Sequence, residues 1–172
     1  MKVVMPAKAG IQFFLGMALL GLASAASAAE APKADRVVID KSQRTLALYA
    51  EGRRIATFQV ALGREPVGAK LCQGDNRTPE GRYYVTGRKE DSDFHRALRL
   101  SYPSSFDELR SREAGCTPGG DIMIHGLKED WGRDSRYHRW RDWTKGCIAV
   151  TNEEIERIWR MVADGVTVEI RP

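Results

Sequence analysis

The chain has 172 residues, a formal net charge of +4 and three cysteines. That length suits one domain with an ordinary core rather than several, and so slight an excess of positive charge gives no basis for a nucleic-acid partner. Neither a repeat nor a low-complexity tract breaks it up.

Lys2 and Lys8 make a basic n-region, Ile11 to Leu22 an apolar run of secretory length, and Ala26-Ser27-Ala28 a small-x-small cleavage pattern. Residues 1–28 therefore read as a signal peptide and the protein as exported. The run is too short for a comfortable membrane span, and no cysteine follows it where a lipoprotein signal needs one; an uncleaved anchor is the alternative. Cleavage removes both lysines and no acid, which halves the net charge of +4. Beyond a short Ala29 to Asp35 segment, residues 36–172 read as one compact domain.

Short stretches rich in β-branched and aromatic residues predict strands at Val37 to Ile39, Thr45 to Tyr49 and Ile55 to Val60, the last two joined as a hairpin through Glu51-Gly52. Further strands are expected at Tyr83 to Thr86, Ala97 to Ser101, Asp121 to His125, Cys147 to Val150 and Val166 to Ile170. Two helices announce themselves by capping boxes, Ser105-x-x-Glu108 and Thr151-x-x-Glu154. In the second, Ile155, Ile158, Trp159 and Val162 share one face, and Gly165 marks a stop. Many short strands without alternating helices predict a mainly β fold, a sandwich or barrel with two short helices.

The chemistry concentrates in two segments, Ile122-Met123-Ile124-His125-Gly126 and Thr144-Lys145-Gly146-Cys147-Ile148-Ala149-Val150. A thiol is a weak nucleophile until deprotonated, and an imidazole on a neighbouring strand end is a suitable base. Cys147 and His125 fit these roles, with Gly126 and Gly146 leaving the backbone free to approach a substrate. Taken singly, the histidine reads as a satisfied core residue and the cysteine as an inert buried thiol; their joint motif outweighs both. An ion pair between them predicts a thiol pKa below about 8.5 and an imidazolium pKa above about 6.5, although Lys145 could act on the thiol by itself.

These segments, with Gly74-Asp75-Asn76-Arg77-Thr78-Pro79-Glu80-Gly81-Arg82-Tyr83, resemble the L,D-transpeptidase (YkuD) family, whose signature is a His-Gly pair followed by Ser/Thr-x-Gly-Cys. The resemblance covers about Arg36 to the C-terminus. It implies the fold of that catalytic domain; the signal pattern independently implies the periplasm, and no cofactor is expected. The activity implied is acyl transfer on peptidoglycan stem peptides through a Cys147 thioester, for wall cross-linking, remodelling or cell shape. In that scheme the Gly126 carbonyl orients His125, and backbone amides near Gly146 and Cys147 stabilise the oxyanion. A wall-attached lipoprotein is a further partner. Lys145 and Ala149 depart from the family, many of whose members have a second histidine and a polar residue there. The alternatives are therefore a hydrolase, either an L,D-carboxypeptidase or an amidase releasing peptides or lipoprotein, and a non-catalytic secreted wall-binding module.

Between His125 and Thr144 lie 18 residues, an enlarged loop by comparison with the family. It includes Trp131, Arg133, Arg136, Tyr137, His138, Arg139, Trp140, Arg141 and Trp143, and from Leu127 to Trp143 five Lys/Arg face four Asp/Glu. Guanidinium groups suit carboxylates and indoles stack on sugar rings or aliphatic stems, so Arg139, Arg141, Trp143 and Lys145 are candidates for substrate binding. The same residues could pack and pair among themselves. Because the motif needs a free Cys147, Cys72 with Cys116 is the preferred disulfide in an exported chain; three reduced thiols are the alternative. The histidines and cysteines have no familiar zinc spacing, so no metal is expected. Thr78-Pro79-Glu80-Gly81 reads as a turn, with Glu80 a weak candidate for a catalytic acid.

Overall fold

The computed structural model describes residues 1–2, 32–128, 131 and 137–172. The signal peptide expected over 1–28 lies outside the described residues except for Met1 and Lys2.

Strands β1 (Ala34–Asp40), β2 (Thr45–Ala50) and β3 (Arg53–Gln59) are followed by β4 (Gly81–Ser92), β5 (His95–Leu100), helix α1 (Ser105–Glu113), β6 (Met123–His125), β7 (Ile148–Ala149), helix α2 (Asn152–Met161) and β8 (Val162–Arg171). They form one sheet in the order β3-β2-β1-β8-β4-β5-β6-β7, curled into half a barrel. The fold is mainly β with two helices, as expected, and barrel-like rather than two facing sheets. Among these pairs β1 with β8 and β6 with β7 are parallel.

Local chemistry explains the elements. At the β2–β3 hairpin both Glu51 and Gly52 have positive φ, 52° and 76°, the type I′ geometry whose twist matches its strands. Val37 and Ile39, Leu46 and Leu48, and Val168 and Ile170 alternate into one core with Leu98, Leu100, Ile124 and Ile148, the period of two that a half-buried strand requires. Ile155, Ile158 and Met161 of α2 close that core. At roughly 1.5–3 kcal/mol for each large apolar side chain removed from water, this face of α2 anchors the residues that follow β7.

Two expectations about helix ends need correction. The first capping box is built on Ser104 and Asp107, not Ser105 and Glu108. Its acid must also serve the interior: buried Asp107 accepts the Tyr83 hydroxyl at 3.1 Å, which the exposed Glu108 could not do. Gly165 does not stop the second helix. Helix α2 ends at Met161, Val162 is already extended, and Gly165 sits inside β8 at φ +83°, where the β1–β8 register shifts between Ala34 and Arg36. A bulge, not a helix C-cap, uses its conformational freedom.

Between β3 and β4 the chain folds around one carboxylate. Asp75 accepts the amides of Leu71, Cys72 and Arg77 at 2.7, 3.0 and 3.1 Å and the Lys70 ammonium at 2.7 Å. Burial works to raise its pKa, but Lys70 and these amides outweigh it and hold the carboxyl below its usual range. A disulfide between Cys72 and Cys116, with Cα atoms 5.7 Å apart, ties this loop to the segment after α1. Glu80 is not poised as an acid: it binds the buried Lys41 at 2.6 Å, and Lys41 also donates to the Gly68 and Thr78 carbonyls.

Candidate active site

Strands β6 and β7 pair Ile124 with Ile148 and His125 with Ala149. Continued by one residue, this register sets Cys147 beside Met123 and therefore on the same face as His125, two residues along. The Val150 amide donates to the His125 carbonyl at 2.9 Å, locking the two segments together. On its other side the Cys147 segment bonds residues 61–64: Ala149 exchanges bonds with Ala61, Thr144 donates to Leu62 and Arg64 donates to Thr144. Asp142, just upstream, is gripped by Arg44 at 2.9 and 3.0 Å and accepts the Leu62 amide at 2.8 Å. The nucleophile candidate thus stands on backbone fixed from both sides, which limits misplacement.

His125 is 4% exposed. Its Nδ1 lies 2.7 Å from the Gly126 carbonyl oxygen; a carbonyl only accepts, so Nδ1 carries the proton and Nε2 is the basic nitrogen. Rings enclose it, Phe94 at 4.6 Å and Trp143 at 5.8 Å between centroids, with Trp131 edge-on to Trp143 at 4.8 Å. Burial pushes its pKa down to about 4, against the Gly126 bond.

The half-buried Cys147 thiol donates to the Asp121 carbonyl at 3.5 Å. Burial, first, raises its pKa; the Met123 backbone bond lowers it, the Asp121 charge raises it and Lys70 lowers it, for a net rise. The expected thiolate–imidazolium pair is therefore corrected: the resting pair is a neutral thiol and a neutral imidazole. Its cause is the burial of both groups, which disfavours each charge. The cation lowering the thiol pKa is Lys70, 4% exposed, whereas Lys145 points to solvent as an exposed residue.

Both glycines of the motif serve packing, not only substrate approach. A Cβ on Gly126 would fall 2.5 Å from Asn152 Oδ1 and 3.0 Å from the Phe94 carbonyl oxygen; one on Gly146, at φ +134°, would fall 2.7 Å from the Arg77 carbonyl oxygen. Asn152 Oδ1 in turn accepts the Leu127 amide at 2.6 Å. The Asp75 loop thus backs directly onto the nucleophile segment. Thr144 Oγ1 donates to the Cys147 carbonyl at 2.7 Å and accepts the Gly146 amide at 3.0 Å. The Gly146 amide is therefore already engaged, and of the two expected oxyanion donors Cys147 is the better placed.

The remaining candidates separate. Arg139 is tied to α2 by Glu154 at 3.0 Å and edges a cleft of about 270 Å³ with Leu127, Asn152 and Arg157. Arg141 and Lys145 are exposed, and Trp143 meets His125 edge-on, its buried indole N–H without a hydrogen-bond partner among the described residues. His138 is buried, and neither ring nitrogen has a hydrogen-bond partner among the described residues. Arg133 and Arg136 lie outside the described residues, as does the Tyr137 side chain. Phe94 and Lys70 were not legible as site residues, because each reaches the site from a distant stretch of sequence; Asp142 adjoins the Thr144 motif, but its role is set by Arg44, 98 positions away.

The family model for the YkuD L,D-transpeptidase catalytic domain matches residues 34–170. Among solved structures, the chain is similar to the helical cell shape determining protein Pgp2 of Campylobacter jejuni, at 26% identity and a TM-score of 0.63 over 81% of this chain and 48% of that one. It is similar to Bd1075 of Bdellovibrio bacteriovorus at 22% identity and TM-score 0.57, covering 84% and 50%. With the L,D-transpeptidase of Mycobacterium smegmatis the identity is 12% and the TM-score 0.54, covering 81% and 59%; these last two show the fold alone. The chain spans about half the length of these structures. No curated protein matches it.

Proposed function

The chain belongs to the L,D-transpeptidase (YkuD) catalytic-domain family, and on that premise we propose that it is an exported cysteine acyltransferase acting on peptidoglycan stem peptides through a Cys147 thioester. His125 Nε2 takes the thiol proton as sulfur attacks the carbonyl of the third stem residue. The charge that develops on the carbonyl oxygen falls to the Cys147 amide. Collapse breaks the peptide bond, and the terminal D-amino acid leaves with the proton from His125. An amine from another stem, or from a wall-attached lipoprotein, then attacks the thioester, passes a proton back through His125 and restores the thiol. Water in place of the amine gives hydrolysis.

One observation carries this reading: Nδ1 of His125 bonded to the Gly126 carbonyl, in a register that sets the free nitrogen and the Cys147 thiol on one face. The N-terminal signal pattern supports export to the periplasm, and the likeness to a cell shape determining protein supports a role in wall remodelling. The test is mass spectrometry of purified muropeptides incubated with the mature protein. Loss of terminal D-alanine or a dimer cross-linked through third-position residues is expected. A carbapenem adduct on Cys147 separates the enzyme from an inert wall-binding module, and absence of both products and adduct would refute the proposal.

A further inference from the structure

The β4–β5 hairpin tip belongs to no motif, yet it reaches the site. Ser92 pairs with His95 across a turn in which His95 takes φ 68°, and the Phe94 amide is held by Ser92 Oγ at 3.1 Å. This turn swings the Phe94 ring onto the imidazole of His125, centroids 4.6 Å apart and planes at 38°. Two clamps keep it there. Glu156 of α2 binds His95 at 2.8 Å and Arg96 at 3.0 Å, while the Gly126 amide donates to the Arg96 carbonyl at 3.1 Å. Phe94 itself is half-buried, so its ring lies on the imidazole while part of the side chain meets solvent.

We propose that Phe94 is a positioning residue for the reaction: its ring excludes water from His125 and keeps the imidazole neutral, leaving Nε2 available as base. This deepens the reading above and rests on it. Trp143 stands beside Phe94, its ring centroid 5.8 Å from those of both Phe94 and His125, and α2 seals the rear, where Asn152 and Ile155 crowd Gly126. The charged groups around this enclosure are Lys128, whose ammonium sits 5.5 Å from the Phe94 ring, the Glu156, His95 and Arg96 cluster behind the tip, and Lys70 and Asp121 on the thiol side. The influences on His125 are burial and the Gly126 bond. Opening the wall therefore acts through hydration rather than through a lost charge.

The experiment has two readouts on the mature protein: NMR titration of the His125 imidazole, assigned with His125→Gln, and the rate of Cys147 acylation by a carbapenem against pH. Phe94→Ala is expected to raise the His125 pKa by about one to two units toward 6.5, and to move the acidic limb of acylation by the same amount. Phe94→Leu, which keeps an apolar wall, should restore wild-type behaviour. Glu156→Gln leaves the ring in place but loosens the tip; it should shift both readouts in the same direction by less, and remains informative if Phe94→Ala fails to fold. An unchanged His125 titration in Phe94→Ala, or in Glu156→Gln should the alanine variant not fold, overturns the proposal whatever happens to the rate. Failure of acylation in the wild type would instead strike the thioester reading, with the titration still deciding the role of Phe94.

Discussion

The two halves of the candidate site are built from opposite materials. Around His125 the walls are apolar, Phe94 and Trp143, with one carbonyl bond to orient the ring. Around Cys147 they are polar: the Asp121 carbonyl, the Thr144 hydroxyl on its own carbonyl, and the Lys70 ammonium locked to Asp75. The difference shows how a thiol and an imidazole can both rest neutral and still divide the work. In the proposed mechanism the dry side would hold the base unprotonated, and the polar side would offer a cation and an amide for the charge that develops as sulfur attacks.

The largest expected effects fall on the pair itself. Cys147→Ala should abolish turnover of muropeptides, and His125→Ala should reduce it by about 10²–10⁴-fold, the usual loss for a general base, both read by quantitative mass spectrometry. Lys70→Met breaks the polar side only. It should slow iodoacetamide alkylation of Cys147 near neutral pH by pushing the thiol pKa further up, whereas Lys145→Ala should leave the alkylation profile in place. The reverse pattern would make Lys145 the activating cation.

Two smaller effects concern stability. Loss of the Cys72–Cys116 bridge, which spans 44 residues, by Cys72→Ser should lower unfolding free energy by about 2–4 kcal/mol without abolishing chemistry. Thiol titration of the unfolded, unreduced protein should find one reactive cysteine. The apolar side gives a pH signature with a defined sign. Because the folded His125 pKa is near 4 and the unfolded value near about 6.5, the unfolded chain binds more protons between them. Stability is then fully present above that upper value and is lost as pH falls toward 4. The loss reaches about 3 kcal/mol, and in urea melts the slope of stability against pH should differ between wild type and His125→Gln in that window alone.

How much of this was legible depended on range. The runs of β-branched and aromatic residues in β1, β2 and β8 and the Thr151–Glu154 box are local patterns, written within a few residues, and the structure follows them. The box at α1 slipped by one because its choice between Asp107 and Glu108 is made by Tyr83, 24 residues away. Gly165 misled because a positive-φ glycine serves a bulge as well as a helix end. Nothing local announces that Phe94 will cover His125, or that Arg44 will grip Asp142 across 98 positions. Likewise the expected ion pair followed from residue types, while the neutral pair follows from burial, which no motif spells out.

The central claim is a covalent acyl group on Cys147. Intact-mass measurement of the mature protein, quenched in acid during turnover of a disaccharide-tetrapeptide, tests it directly. The account predicts a mass increase equal to the muropeptide less its terminal D-alanine, mapped by proteolysis to the peptide containing Cys147 and missing in Cys147→Ala. Turnover that continues in Cys147→Ala, or an acyl group mapped to another residue, would contradict it.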